Sequence, residues 1–188
     1  MNLFDIPPRV ERSAEVSDCG RYRWWLRRSW SIFDSQGQHV QGKGVCCFVM
    51  LNPSTADDKQ DDPTIRRCIG FARSWGYNAL SVRNLFPWRA TDPRELRKGD
   101  AVTGGLCGDN ELLSACTADL VVAAWGAGVP YGRDLQALAM FEQYFPGVSI
   151  YCLGKTKAGK PRHPLYVKAE TQPQWFAGAS PTKGTPCT

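Results

Sequence analysis

Apolar and polar positions alternate along this chain between two periods. Residues 44–51 ("GVCCFVML") are apolar at almost every position, the pattern of a strand buried on both faces. Residues 61–77 ("DDPTIRRCIGFARSWGY") switch to helical spacing, with Ile65, Cys68, Ile69 and Ala72 on one face. Asp61 or Asp62 is the expected N-cap, Pro63 suits the first turn, and Gly76 ends the helix. Residues 78–86 ("NALSVRNLF"), 118–126 ("ADLVVAAWG") and 147–154 ("GVSIYCLG") read as three further strands. Between the last two lies a helix in "RDLQALAMFEQYF", with Leu135, Leu138, Ala139 and Phe141 available for packing. Residues 96–116 suggest a loop and a short helix, and "RYRWWLRRSWSIFD" an amphipathic strand added at one edge.

Strands alternating with helices favour parallel pairing through right-handed crossovers. The expectation is an α/β, single-domain three-layer sandwich around a central, mainly parallel four-stranded sheet, with an N-terminal edge strand. Residues 1–18 read as a loosely ordered N-terminal arm, 19–176 as the domain, and 177–188 ("AGASPTKGTPCT") as a flexible tail. At 188 residues and 43% hydrophobic, the chain has the size of one core.

Composition narrows the function classes. No run approaches the roughly 18 apolar residues of a membrane span, and "MNLFDIPPRVERSAEV" lacks the apolar centre of a signal peptide, so a soluble, cytoplasmic protein is expected. The eight cysteines include no C-x-x-C pair, and neither His39 nor His163 stands at ligand spacing from a cysteine pair. Reduced thiols, no metal and no cofactor are expected. The net charge of +5 matters less than its distribution. Lys155, Lys157, Lys160 and Arg162 crowd the segment before His163, whereas Asp57, Asp58, Asp61 and Asp62 form one acidic patch.

In open α/β sheets ligands bind beyond the carboxyl ends of the strands. The segments leaving the four predicted strands are "LNPSTADD", "RNLFPWRATDP", "WGAGVPYGR" and "GKTKAGKPRHPLY". They bring Asn52, Asn84, Trp88, Trp125 and His163 toward one edge of the sheet. No phosphate-binding G-x-x-x-x-G-K-[ST] loop, Rossmann glycine fingerprint or G-x-S-x-G elbow competes with this set.

The order of asparagine-proline loop, strand-asparagine, strand-glycine and histidine-proline loop resembles the uracil-DNA glycosylase superfamily. More closely, "MLNPSTAD", "DPTIRRC", "NLFPWRATDP", "AAWG" and "LGKTKAGKPRHPLY" are similar, over residues 21–168, to a bacterial and phage domain-of-unknown-function family. The glycosylase resemblance implies the parallel four-stranded sheet named above and a role for each matching residue. Asn52 would hold the attacking water, Asn84 would read the edge of a flipped base, and His163 would stabilise the departing base anion. Leu165 or Tyr166 would wedge into the vacated stack.

This chain departs from the superfamily pattern in two places. Ser54-Thr55-Ala56-Asp57 follow the asparagine-proline pair, and Leu165-Tyr166 replace the usual serine-proline after the histidine-proline. Phe86 or Trp88 would have to supply the stacking wall, and Ser54, Asp58 and Asp62 would complete the base pocket. The reading is a DNA glycosylase-like hydrolase that cleaves the N-glycosidic bond of a flipped, modified pyrimidine, such as a glucosylated hydroxymethylcytosine of phage DNA, in DNA modification or counter-defence. Lys155, Lys157, Lys160 and Arg162 would clamp the phosphates. The alternatives are a hydrolase or transferase of free nucleosides or nucleotides, and a non-catalytic module that reads modified DNA.

Overall fold

The apolar run that opens at Val45 becomes the middle strand of a seven-stranded sheet, which explains why it needs no polar face. The computed structural model describes residues 10–97 and 103–180. In chain order the elements are β1 (Glu11–Val16), β2 (Arg23–Ser29), β3 (Ile32–Phe33), β4 (His39–Val40), β5 (Val45–Met50), α1 (Pro63–Ser74) and β6 (Ala79–Asn84). They continue with α2 (Gly105–Leu113), β7 (Leu120–Ala123), α3 (Arg133–Tyr144), β8 (Ser149–Cys152) and β9 (Gln174–Gly178). The sheet order is β1-β2-β6-β5-β7-β8-β9, and β3 with β4 forms a separate hairpin.

The fold remains α/β, but the expected four-stranded, mainly parallel sheet of the uracil-DNA glycosylase type is corrected to a seven-stranded mixed one. β5 pairs in parallel with β6 and β7, and β7 with β8, while β1–β2, β2–β6 and β8–β9 are antiparallel. The expected N-terminal edge strand is in fact interior, because β1 covers β2. β1 and β9 carry no apolar run in the sequence, and the reason is physical. "ERSAEV" and "QWFAG" lie at the sheet's two edges and are half-exposed or exposed throughout, so neither needs an apolar run. Residues 11–16 of the expected arm and 177–178 of the expected tail therefore belong to strands; residues 1–9 and 181–188 lie outside the described residues.

Alternation along β5 divides the core. Cys46, Phe48 and Met50 face α1, packing with Ile65, Cys68, Phe71 and Ala72, while Cys47 and Val49 face Leu112 of α2 and Ala137 and Phe141 of α3. Asp62 caps α1 by accepting from the Ile65 N–H at 2.8 Å, Pro63 opens it, and Gly76 follows it at φ +85°. In α3 the packed positions are Ala137 and Phe141, with Leu138 partly buried. Leu135 and Ala139, expected in the core, face solvent, because Arg133 and Asp134 occupy the buried positions of the first turn. Among the described residues no helix is long and apolar enough to cross a membrane.

Candidate functional site

The parallel strands β6, β5, β7 and β8 end on one side of the sheet, and the loops that leave them are stitched together there. Leaving β5, the backbone carbonyls of Met50, Leu51 and Pro53 accept from the N–H groups of Leu85, Phe86 and Ala90 on the segment leaving β6. Half-buried Asn52 adds a side-chain stitch, its Nδ2 donating to the Ala90 carbonyl at 2.7 Å and the Pro53 carbonyl at 3.0 Å. Both amide hydrogens are thereby used. Oδ1 is the acceptor that Asn52 still offers.

Asn84 closes β6 and is only 5% exposed. Its Oδ1 accepts from Arg23 Nη2 at 3.2 Å, while its Nδ2 is buried without a hydrogen-bond partner. Arg23 reaches it through a backbone irregularity. Between β1 and β2 the register advances one residue on β1, Glu15 to Val16, and two on β2, Trp25 to Arg23, so Trp24 is bulged. A regular strand would turn Arg23 away from the face of Leu26 and Arg28. The bulge instead lets it donate from Nη1 to the Ala56 carbonyl at 2.9 Å and from Nη2 to Asn84.

Arg23 is 2% exposed, makes no ion pair with a carboxylate among the described residues, and has a buried Nε without a partner. Burial pulls its pKa down to about 10, opposed by the charges of Asp62 and Asp57 and reinforced by those of Arg89 and Arg28. In the sequence this residue is one of four arginines, Arg21, Arg23, Arg27 and Arg28, in one short segment. The adjacent Trp24-Trp25 pair interrupts the alternation of β2, but only the strand register shows which way Arg23 turns.

His163 caps a single helical turn, Pro164–Tyr166, its Nδ1 accepting from the Leu165 N–H at 3.4 Å. That bond leaves the ring proton on Nε2 as the donor. Arg67 of α1 clamps the turn by donating to the carbonyls of Pro164 and Val167. A Cβ at Gly126, beyond β7, would stand 3.8 Å from the His163 Cβ, which sets the histidine against the third strand end. The Asp62 charge is felt by both Arg23 and His163.

Burial lowers the His163 pKa below 6.5, with Asp62 only partly opposing it. As pH falls through 6.5 the unfolded chain takes up this proton first. Stability at His163 is therefore complete above that pH and is lost progressively below it. Urea titrations between about pH 7 and about pH 5 are expected to find wild type losing more stability than His163→Gln. An identical slope for the two proteins would contradict this.

The remaining predicted residues distribute unevenly. Ser54 lines an open polar basin of about 540 Å³ with Asp57, Gln60, Arg89, Asp92 and Glu95, and Asp58 is exposed on the same loop. Phe86 is fully buried on the α2 and α3 face of the sheet, so it is core and not a stacking wall. Trp125 is likewise buried, packed edge-on against Phe176. Trp88 is half-buried with its ring edge-on to Tyr22 at 5.4 Å and the Arg21 guanidinium 5.8 Å away.

The basic segment forms a tight hairpin, with Thr156 N–H donating to the Lys160 carbonyl and Arg162 N–H to that of Gly154. Lys160 is committed to buried Asp134 at 2.5 Å. Lys155 lies over the rings of Trp175 and Phe176, and Lys157 and Arg162 are exposed. Leu165 and Tyr166 project from the neighbouring turn, 44% and 77% exposed.

A family model described as a protein of unknown function (DUF1643) matches residues 23–165. No curated protein and no solved structure matches the chain.

Proposed function

Because the chain belongs to the DUF1643 family, a membership that brings no activity with it, we propose a function from the strand-end residues themselves. The protein is a DNA glycosylase-like hydrolase that removes a flipped, modified pyrimidine and leaves an abasic site. The observation that carries this reading is the buried, unpartnered Nδ2 of Asn84 at the carboxyl end of β6. A buried donor left unmet costs about 1–3 kcal/mol, a cost that a ligand acceptor would remove.

The neighbouring groups suit the same chemistry. Asn52 Oδ1 can accept from a water, and a dissociative cleavage asks for a positioned nucleophile more than a strong base. In the step itself the C1′–N bond breaks with its electron pair leaving on the base. Water adds to C1′, and its proton ends on the released base. His163 Nε2–H donates toward the negative charge that builds on the base during cleavage. Exposed Leu165 can fill the vacated stack, while Lys157 and Arg162 are available to flanking phosphates. The likeness to the uracil-DNA glycosylase superfamily supports this at Asn52, Asn84 and His163, not in the sheet.

The test is to incubate the protein with single- and double-stranded oligonucleotides carrying uracil, hydroxymethylcytosine or glucosylated hydroxymethylcytosine, then score alkali-labile sites. Asn52→Ala is expected to slow cleavage about a hundredfold by misplacing the water. No alkali-labile site on any substrate would overturn the reading.

A further inference from the structure

Arg23 and Asn84 are joined by a hydrogen bond, and each retains a buried donor with nothing to donate to: Nε on Arg23 and Nδ2 on Asn84. The orientation of the Asn84 amide follows from its neighbour. Arginine can only donate, so the atom turned to the guanidinium must be the amide oxygen, which leaves the NH2 group as the part of the amide still without a partner. A flipped amide would set NH2 against a buried cation. The asparagine therefore cannot offer both a donor and an acceptor to a ligand, as a free amide would. Arg23 has converted it to a donor.

Charge points in the same direction. Arg23 is 2% exposed and its bonded partners are a backbone carbonyl and a neutral amide. Asp62 and Asp57 act on it only at a distance. An internal cation so poorly compensated favours an electron-rich partner.

We infer that Arg23 sets the specificity of this site. Together with Asn84 it forms a donor-only receptor for two adjacent acceptors, the chemistry of the unprotonated ring nitrogen and carbonyl of a cytosine-type pyrimidine. A uracil-type base carries N3–H at that position and would set donor against donor. This deepens the proposed base excision and rests on it for the identity of the ligand as a pyrimidine.

Two nearly isosteric probes test it: 5-methyldeoxycytidine and thymidine, which differ in the edge concerned. NMR titration of the intact protein is expected to give at least about tenfold tighter binding of 5-methyldeoxycytidine. In Arg23→Gln the Asn84 amide is free to turn, and the ratio is expected to collapse toward unity while thymidine binding changes little. A purely structural role would weaken both ligands equally. Should Arg23→Gln not fold, the wild-type Arg23 Nε–H resonance serves instead, moving with 5-methyldeoxycytidine and not with thymidine.

Equal affinity for the two probes, binding of neither, or an unchanged ratio in Arg23→Gln would overturn the inference. Arg23-dependent selectivity without abasic-site formation would uphold it and defeat only the hydrolase. Cleavage of cytosine-type and uracil-type DNA at equal rates would do the reverse.

Discussion

Replacing Arg28 with alanine is expected to cost about 3–5 kcal/mol of folding free energy. Arg28 is fully buried in β2, yet its guanidinium is surrounded by acceptors. Nε meets Asp61 Oδ1 at 2.7 Å, Nη2 donates to the Asp57 carbonyl at 2.5 Å and the Gln60 carbonyl at 3.4 Å, and Nη1 donates to the carbonyls of Ser13 and Arg27. Truncation would leave the Asp61 carboxylate, itself 9% exposed, with only the longer 3.4 Å contact to Arg12, whose side chain is 40% exposed. Several loop carbonyls would lose their donor at once. The cost is thus dominated by what stays behind unpaired.

The control follows from the same reasoning. Arg28→Met fills the volume but satisfies none of those acceptors, so it should recover little. Adding Asp61→Leu removes the stranded charge and should return part of the loss, a coupling that a double-mutant cycle measures. Urea denaturation followed by circular dichroism reads wild type, Arg28→Ala, Arg28→Met, Asp61→Leu and the double variant; a loss below about 1 kcal/mol in Arg28→Ala would contradict the argument. The damage should reach the site as well. The loop that Arg28 holds runs directly into Asp62, the cap of α1, and carries the Ala56 carbonyl that accepts from Arg23.

This loop also marks how far the sequence could be read. β5, β6, β7 and β8 announce themselves because interior strands must be apolar on both faces, and α1 because its cap, proline and apolar stripe agree. The edge strands do not, since a strand with one neighbour and a wet face can be built from "ERSAEV". Asn52, Asn84 and His163 were legible as residues leaving strands in an α/β chain. Arg23 was not, because its direction depends on a one-residue bulge at Trp24 that only strand register reveals. Phe86 misled for a related reason. An aromatic just past a strand end can turn either way, and here Phe86 is fully buried in the core cluster that also holds Leu85 and Leu96.

His163→Ala is expected to reduce the rate of base release about 10²–10³-fold, the scale for removing one donor aimed at developing negative charge. Three features of the structure leave the imidazole able to donate from Nε2. Its Nδ1 is occupied by the Leu165 N–H, so the ring proton sits on Nε2. Its pKa lies below 6.5, so the ring is neutral at physiological pH and keeps that arrangement. The turn that carries it is held independently by Arg67 through the carbonyls of Pro164 and Val167, so alanine removes the donor without releasing the loop. The effect should therefore fall on the chemical step: single-turnover cleavage is expected to slow while any DNA affinity, which the proposed reading assigns to Lys157 and Arg162, changes little. His163→Gln, which retains an N–H at similar reach, should recover part of the rate. As pH falls through the lowered pKa of this ring, protonation of Nδ1 breaks its bond to Leu165, and wild-type cleavage should change with pH in a way that His163→Ala does not. A wild-type rate in His163→Ala on a substrate that the protein cleaves would remove the histidine from the reaction and leave Asn52 and the Arg23–Asn84 pair to account for it.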